Sequence, residues 1–334
     1  MRIFLLPLLL VNFAFAQTTE SLRGVSAVTD NVIWASGAGA TYLRTTDGGT
    51  NWAVAKVPGA EALDFRGIHA LSATTAWLMS AGPGDKSRIY RTTDAGAHWT
   101  LQFTNPDPAG FFDAIAFRDA RHGMVAGDPV NGEMTIFTTD DSGLHWSRRH
   151  TPPALPNEGG FAASNSCLSV RGQQAWFGTG GTGAARVFNS ANGGRTWTVA
   201  FTPIRHDSAS AGIFSINFSD SKHGIAVGGD YAKDTESRAS IAITSDGGRT
   251  WAASPGPGPK GFRSAIVHVP HSNTWIATGT SGSDVSTDNG QTWRTFDTRS
   301  FNALSVAPGG TVWAVGAKGQ IARLIGSLIS HSPL

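Results

Sequence analysis

Three arginines, Arg23, Arg66 and Arg263, each follow an apolar residue near the start of an alternating strand. Registering those strands on one another gives the three the same position, with Asp113, Phe214 and Asn302 there in other copies. If that position faces a channel mouth, three guanidinium groups surround one point, and their planar forks suit a carboxylate or a sulfate. A slip of one residue would turn an arginine outward. The plainer alternative is strand-end arginines paired with nearby acids.

Further acids and bases gather in four polar insertions: Asp128 to Glu133, His150 to Phe161, Ile204 to Ser208 and Gly229 to Arg238. They hold Asp128, Glu158, Arg205, His206, Asp230 and Tyr231, enough hydrogen-bonding groups to line a pocket, although loops are polar by default. Glu158 with Asp128 or Asp230 would make a carboxyl pair of the kind that hydrolyses glycosides, but no motif fixes their separation. Signals for other chemistry are poor. The ten histidines are scattered without His-x-His spacing, and a single cysteine, Cys167, rules out an intrachain disulfide. Cys167 reads as a small buried residue in a strand, with a catalytic thiol as the sharper alternative. Gly180 to Gly183 has no helix after it to cradle a phosphate, and no Gly-x-Ser-x-Gly elbow occurs. Neither a metal nor a cofactor is expected.

The elements that must position these groups are written in a repeat. Six times the chain runs Ser/Thr-x-Asp-x-Gly-x-x-Trp, with Asp47, Asp94, Asp141, Asp246 and Asp288 at the third place and Asn192 in the fourth copy. Each copy suits a tight turn: the side-chain oxygen accepts turn N–H groups, Gly takes a positive φ, and the Trp packs beneath. The closing residues Trp52, Trp99, Trp146, Trp197, Trp251 and Trp293 are spaced by 47, 47, 51, 54 and 42 residues, a propeller-blade period. Short apolar strands running into glycine occur seven times, each after a strand of period-two alternation. The fold expected is all-β: one seven-bladed propeller of four-stranded antiparallel blades over 17–326, with a tail at 327–334. Six boxes for seven blades leave one outer strand missing, and residues after Gln17 are expected to supply it beside Gln320 to Leu324. In such a blade the box lies on the lower face, so the insertions build the upper one.

The boxes resemble the Asp-box of bacterial neuraminidase repeats. The stretches Phe117 to Gly123, Thr138 to Trp146, Phe218 to Gly224, Gly228 to Asp230 and Thr244 to Trp251 resemble the photosystem II stability/assembly factor family over essentially the whole chain. That resemblance implies a non-enzymatic binding or assembly platform, with a protein partner or a small polar or anionic ligand on the upper face. Sialidases, which also carry an arginine triad on a propeller, are the enzyme alternative. They need a Tyr nucleophile with a partner Glu, whereas this chain has three Tyr and five Glu and lacks their Arg-Ile-Pro phrase. Convergence of Arg23, Arg66 and Arg263 with Tyr231 and a Glu would favour that alternative.

The formal net charge of +2 suggests neither nucleic acid nor an anionic membrane as partner. Residues 1–16 carry Arg2, an apolar run from Ile3 to Val11 and Ala14-Phe15-Ala16 before Gln17. They read as a secretory signal cut after Ala16. The run is too short for a permanent membrane anchor, and the expected product is a secreted or periplasmic monomer.

Overall fold

The structure is a computed structural model that describes residues 10–15 and 18–325, with Leu10–Phe15 and Ile325 as backbone alone. The cut after Ala16 and the tail at 327–334 lie outside the described residues. Seven antiparallel sheets are arranged as blades. In the first, Leu22–Ala27 pairs Ile33–Gly37, which pairs Thr41–Thr45 and then Ala53–Lys56. The pattern repeats to the seventh blade, Ala303–Val306, Val312–Val315 and Gln320–Ile325. The fifth sheet has six strands, because Glu158–Gly159 and Gly180–Gly181 add to Ala211–Phe218.

The third strand of each boxed blade turns through the box. In the first, Asp47 Oδ1 accepts from Asn51 N at 2.9 Å, and Thr45 Oγ1 accepts from Gly49 N at 3.0 Å. Asn192 reproduces the first contact with Thr196 N at 2.9 Å. The boxes also join blades. A Cβ on Gly49 would meet the Trp313 ring at 2.5 Å, and one on Gly248 would meet Trp176 at 2.8 Å. Each glycine therefore lets a box settle on the second-strand tryptophan of the blade before it. Trp176 Nε1 donates to Gly247 O at 2.8 Å, and Tyr42 OH to Gly96 O at 2.7 Å. Trp34, Trp77, Trp176, Trp275 and Trp313 are fully buried or nearly so, and each such ring removes a large apolar area from water.

Inner strands are tied by side chains that bond a neighbour's backbone. Ser26 Oγ accepts from Ala70 N at 3.0 Å, and Ser215 Oγ from Ile266 N at 2.9 Å. The ring meets itself the same way: Ser305 Oγ accepts from Ala27 N at 3.0 Å, and Asn302 Nδ2 donates to Leu22 O at 2.8 Å. The outer strand expected from residues after Gln17 is not found, because the first strand after Gln17, Leu22–Ala27, is the innermost of blade one. Instead the backbone of Leu10–Phe15 runs antiparallel to Gln320–Ile325, from Leu10 opposite Ile325 to Phe15 opposite Gln320. Those residues belong to the segment read as a signal, so cleavage after Ala16 would take this strand away.

Candidate functional site

Four inner strands carry one extra residue where they leave the upper face. The register skips Arg23 between Leu22 and Gly24, Arg66 between Phe65 and Gly67, Asp113 between Phe112 and Ala114, and Phe214 between Ile213 and Ser215. Such bulges re-aim a side chain, and all four line one cavity of about 400 Å³ at the channel mouth, together with Asn302 and Ser264. The volume suits a small-molecule or side-chain site. Arg263 does not join them. A Cβ on Gly279 would face Phe262 O and Arg263 Cα, as one on Gly37 faces Ser21 O and Leu22 Cα. Arg263 therefore stands one residue before the arginine position and Ser264 occupies it. The Arg263 side chain is fully buried, its Nε donating to Asp284 Oδ2 at 2.7 Å. Burial disfavours its charge and Asp284 opposes that effect.

The cavity is a bowl with a floor. Glu158–Gly159 and the turn after it lead the chain from blade three onto the axis, where Phe161 to Ser166 bonds inner strands around the ring. Arg66 Nη1 donates to Ala162 O at 3.2 Å, Asn165 Oδ1 accepts from Ile115 N at 2.8 Å, and Asn165 Nδ2 donates to Ile68 O at 3.3 Å. Ser164 Oγ donates to Ser264 O at 2.6 Å, and Ser166 Oγ to Ser215 Oγ at 2.7 Å. A segment that reaches blades two, three, five and six lies on the axis and plugs the channel.

Two walls face each other above this plug. One is aromatic: Phe161 and Phe214 stack with centroids 3.9 Å apart, Phe262 meets Phe214 edge-on at 4.6 Å, and exposed Tyr231 meets it at 6.0 Å. The other carries charge. Arg66 is paired with Asp64 through Nε at 2.7 Å. Arg23 is half-buried, and among the described residues its guanidinium has no hydrogen-bonding or ion-pair partner. Its cationic form is disfavoured by burial and then by Arg66, with Asp64 opposing. Asp113 is 1% exposed and its Oδ2 has no hydrogen-bond partner among the described residues. Burial, then the Asp128 charge, pushes its carboxyl well above the usual range. Asp128 accepts from Gly160 N at 2.9 Å and is raised by its own burial.

Most other sequence candidates are consumed by structure. Glu158 lies buried against Arg186, whose Nε donates to it at 2.9 Å, and it accepts from Thr179 Oγ1 at 2.6 Å. Arg205 is a buried hub bound to Asp207 and Glu236, with Asp230 Oδ2 at 3.7 Å. Asp230 accepts from Ser210 Oγ at 2.6 Å and from Ala232 N at 3.0 Å, fixing the turn that carries Tyr231. His206 is exposed and donates from Nδ1 to Ile204 O at 2.9 Å. Of the nine candidates, Arg23, Arg66, Asp128 and Tyr231 meet in the bowl. No glutamate lines it and Arg263 is turned away, so the convergence that sialidase-like chemistry needs is not there. Asp113, the residue missed as a candidate, was visible only as a member of the aligned strand position. Cys167 is fully buried, and burial pushes its thiol up. No group of three metal-capable side chains occurs among the described residues. A hollow of about 540 Å³ on the box face gathers His223, His268 and His271, but His223 is held by Asp220 at 2.8 Å and His268 by Ser272 O at 2.8 Å.

The family of BNR/Asp-box repeats matches residues 284–295, the sixth box. No curated protein matches the chain. Solved structures match over nearly its whole length. A structure described as YCF48 bound to D1 peptide has 18% identity and a TM-score of 0.67, over 94% of this chain and 96% of that one. YCF48 from Cyanidioschyzon merolae has 15% identity and a TM-score of 0.63, over 94% and 98%. A streptogramin B lyase has 14% identity and a TM-score of 0.64, over 95% and 98%. Repeat, blade order and these likenesses agree: the chain is a seven-bladed β-propeller with BNR/Asp-box repeats, similar in fold to YCF48.

Proposed function

We propose that the protein is an exported, non-enzymatic binding platform that holds a segment of a partner protein on its upper face. The observation that carries this is the bowl, where a stacked aromatic wall faces a half-buried arginine with no ion-pair partner among the described residues. Buried aromatic and arginine anchors dominate binding energy at protein interfaces. A propeller needs no movement to present them, so little ordering cost opposes binding. The similar fold of YCF48, solved bound to D1 peptide, supports a peptide ligand by likeness of fold alone. Export rests on Arg2, the apolar run and Ala14-Phe15-Ala16.

The test is selection of displayed linear peptides on the full chain. Enriched sequences should lose binding to Tyr231→Ala and keep it with the lower-face variant Arg195→Ala. Absence of enrichment, or binding lost only in the lower-face variant, overturns the proposal.

A further inference from the structure

The bowl holds one guanidinium that no neighbour pairs among the described residues. Arg66 is compensated by Asp64 at 2.7 Å, whereas Arg23 has no hydrogen-bonding or ion-pair partner among the described residues. A guanidinium that stays charged and half-buried beside a second one is costly without an anion. The two acids of the bowl do not supply that anion. Asp113 is buried with an unpartnered Oδ2, and burial, then the Asp128 charge, pushes its carboxyl well above the usual range. Asp128 is turned to Gly160 N. Opposite stand the stacked rings of Phe161 and Phe214 with Tyr231 and Phe262 at their edge. The plug beneath closes the axis, so entry is from above and depth is limited.

We propose that the bowl is a receptor for a small monocarboxylic acid with an aromatic body, its carboxylate on Arg23 and its ring against Phe161 and Tyr231. One carboxylate gives the unpartnered guanidinium an ion pair and accepts its paired N–H groups. The ring covers the exposed edge of the aromatic wall, where offset or edge-on contact is favoured. The inference rests on the upper face being the binding face and adds the ligand that the bowl itself takes.

The test is calorimetric titration of the full chain with hydrocinnamate and with its neutral isostere hydrocinnamamide. The acid should bind at one saturable site, and the amide about tenfold or more weaker, as expected for loss of a charge-assisted contact. Arg23→Gln should weaken the acid by about the same factor and leave the amide unchanged. Tyr231→Ala should weaken both. Acid and amide binding alike, or an acid that never saturates the site, overturns the inference. Peptides enriched on the upper face in that event would leave the platform standing, so the two failures are told apart.

Discussion

Single side chains divide into those that hold turns, those that hold loops and those left with nothing to hold. The box aspartates belong to the first group. The N–H of Asn51 holds Asp47 down to about 2 from 3.8, and those of His98 and His145 do the same for Asp94 and Asp141. A folded pKa below the unfolded one contributes stability above the unfolded value, which is lost as pH falls toward the folded value. Melting temperature should therefore drop between pH 3.8 and about 2. Asp47→Asn should flatten that drop, since Asn192 makes the same turn contact without titrating. An unchanged slope would remove the boxes as its source. The second group includes Arg263 and Asp284, both nearly fully buried. Arg263→Met leaves a buried carboxylate unpaired and should cost roughly 3–5 kcal/mol in urea unfolding. Arg23→Gln, which breaks no hydrogen bond or ion pair among the described residues, should stay within about 0.5 kcal/mol of the parent. Equal costs would mean that the two arginines do not differ as described.

At the scale of elements, the repeat was legible and the register at its upper edge was not. Ser/Thr, Asp, Gly and Trp at fixed offsets mark hairpins because each has a local task that any copy must repeat. The bulges have no such mark: Leu22-Arg23-Gly24 and Phe262-Arg263-Ser264 look alike, yet the first places Arg23 in the bowl and the second buries Arg263 one residue early. Long-range pairing decides that, and so also places Glu158 on Arg186 instead of at the mouth. The plug was equally hidden, since its contacts lie up to about a hundred residues away, as between Ser164 and Ser264. Asn165, at φ 64°, is its pin. Asn165→Ala removes contacts to Ile68 and Ile115 and places an alanine in left-handed backbone, a loss of about 1–3 kcal/mol. Amide exchange should accelerate at Ile115 while the boxes keep their protection. Uniform acceleration across all blades would show that the segment is part of the core and not a plug.

For the molecule as a whole, blades seven and one are tied by Ser305 to Ala27 and Asn302 to Leu22. Cleavage after Ala16 would therefore leave these inner ties in place and uncover the outer edge at Gln320–Ile325. The exported protein should begin at Gln17 by intact mass and remain folded, and an exported chain still beginning at Met1 would refute the cleavage. A ring with a plugged axis has one face with aromatic anchors and a cation that nothing pairs among the described residues. Amide exchange of the full chain with and without an enriched peptide tests whether this face binds. Protection is predicted at residues 111–113, 160–163, 214 and 231 around the bowl, with the box turns unchanged. Protection confined to the box turns would contradict the account.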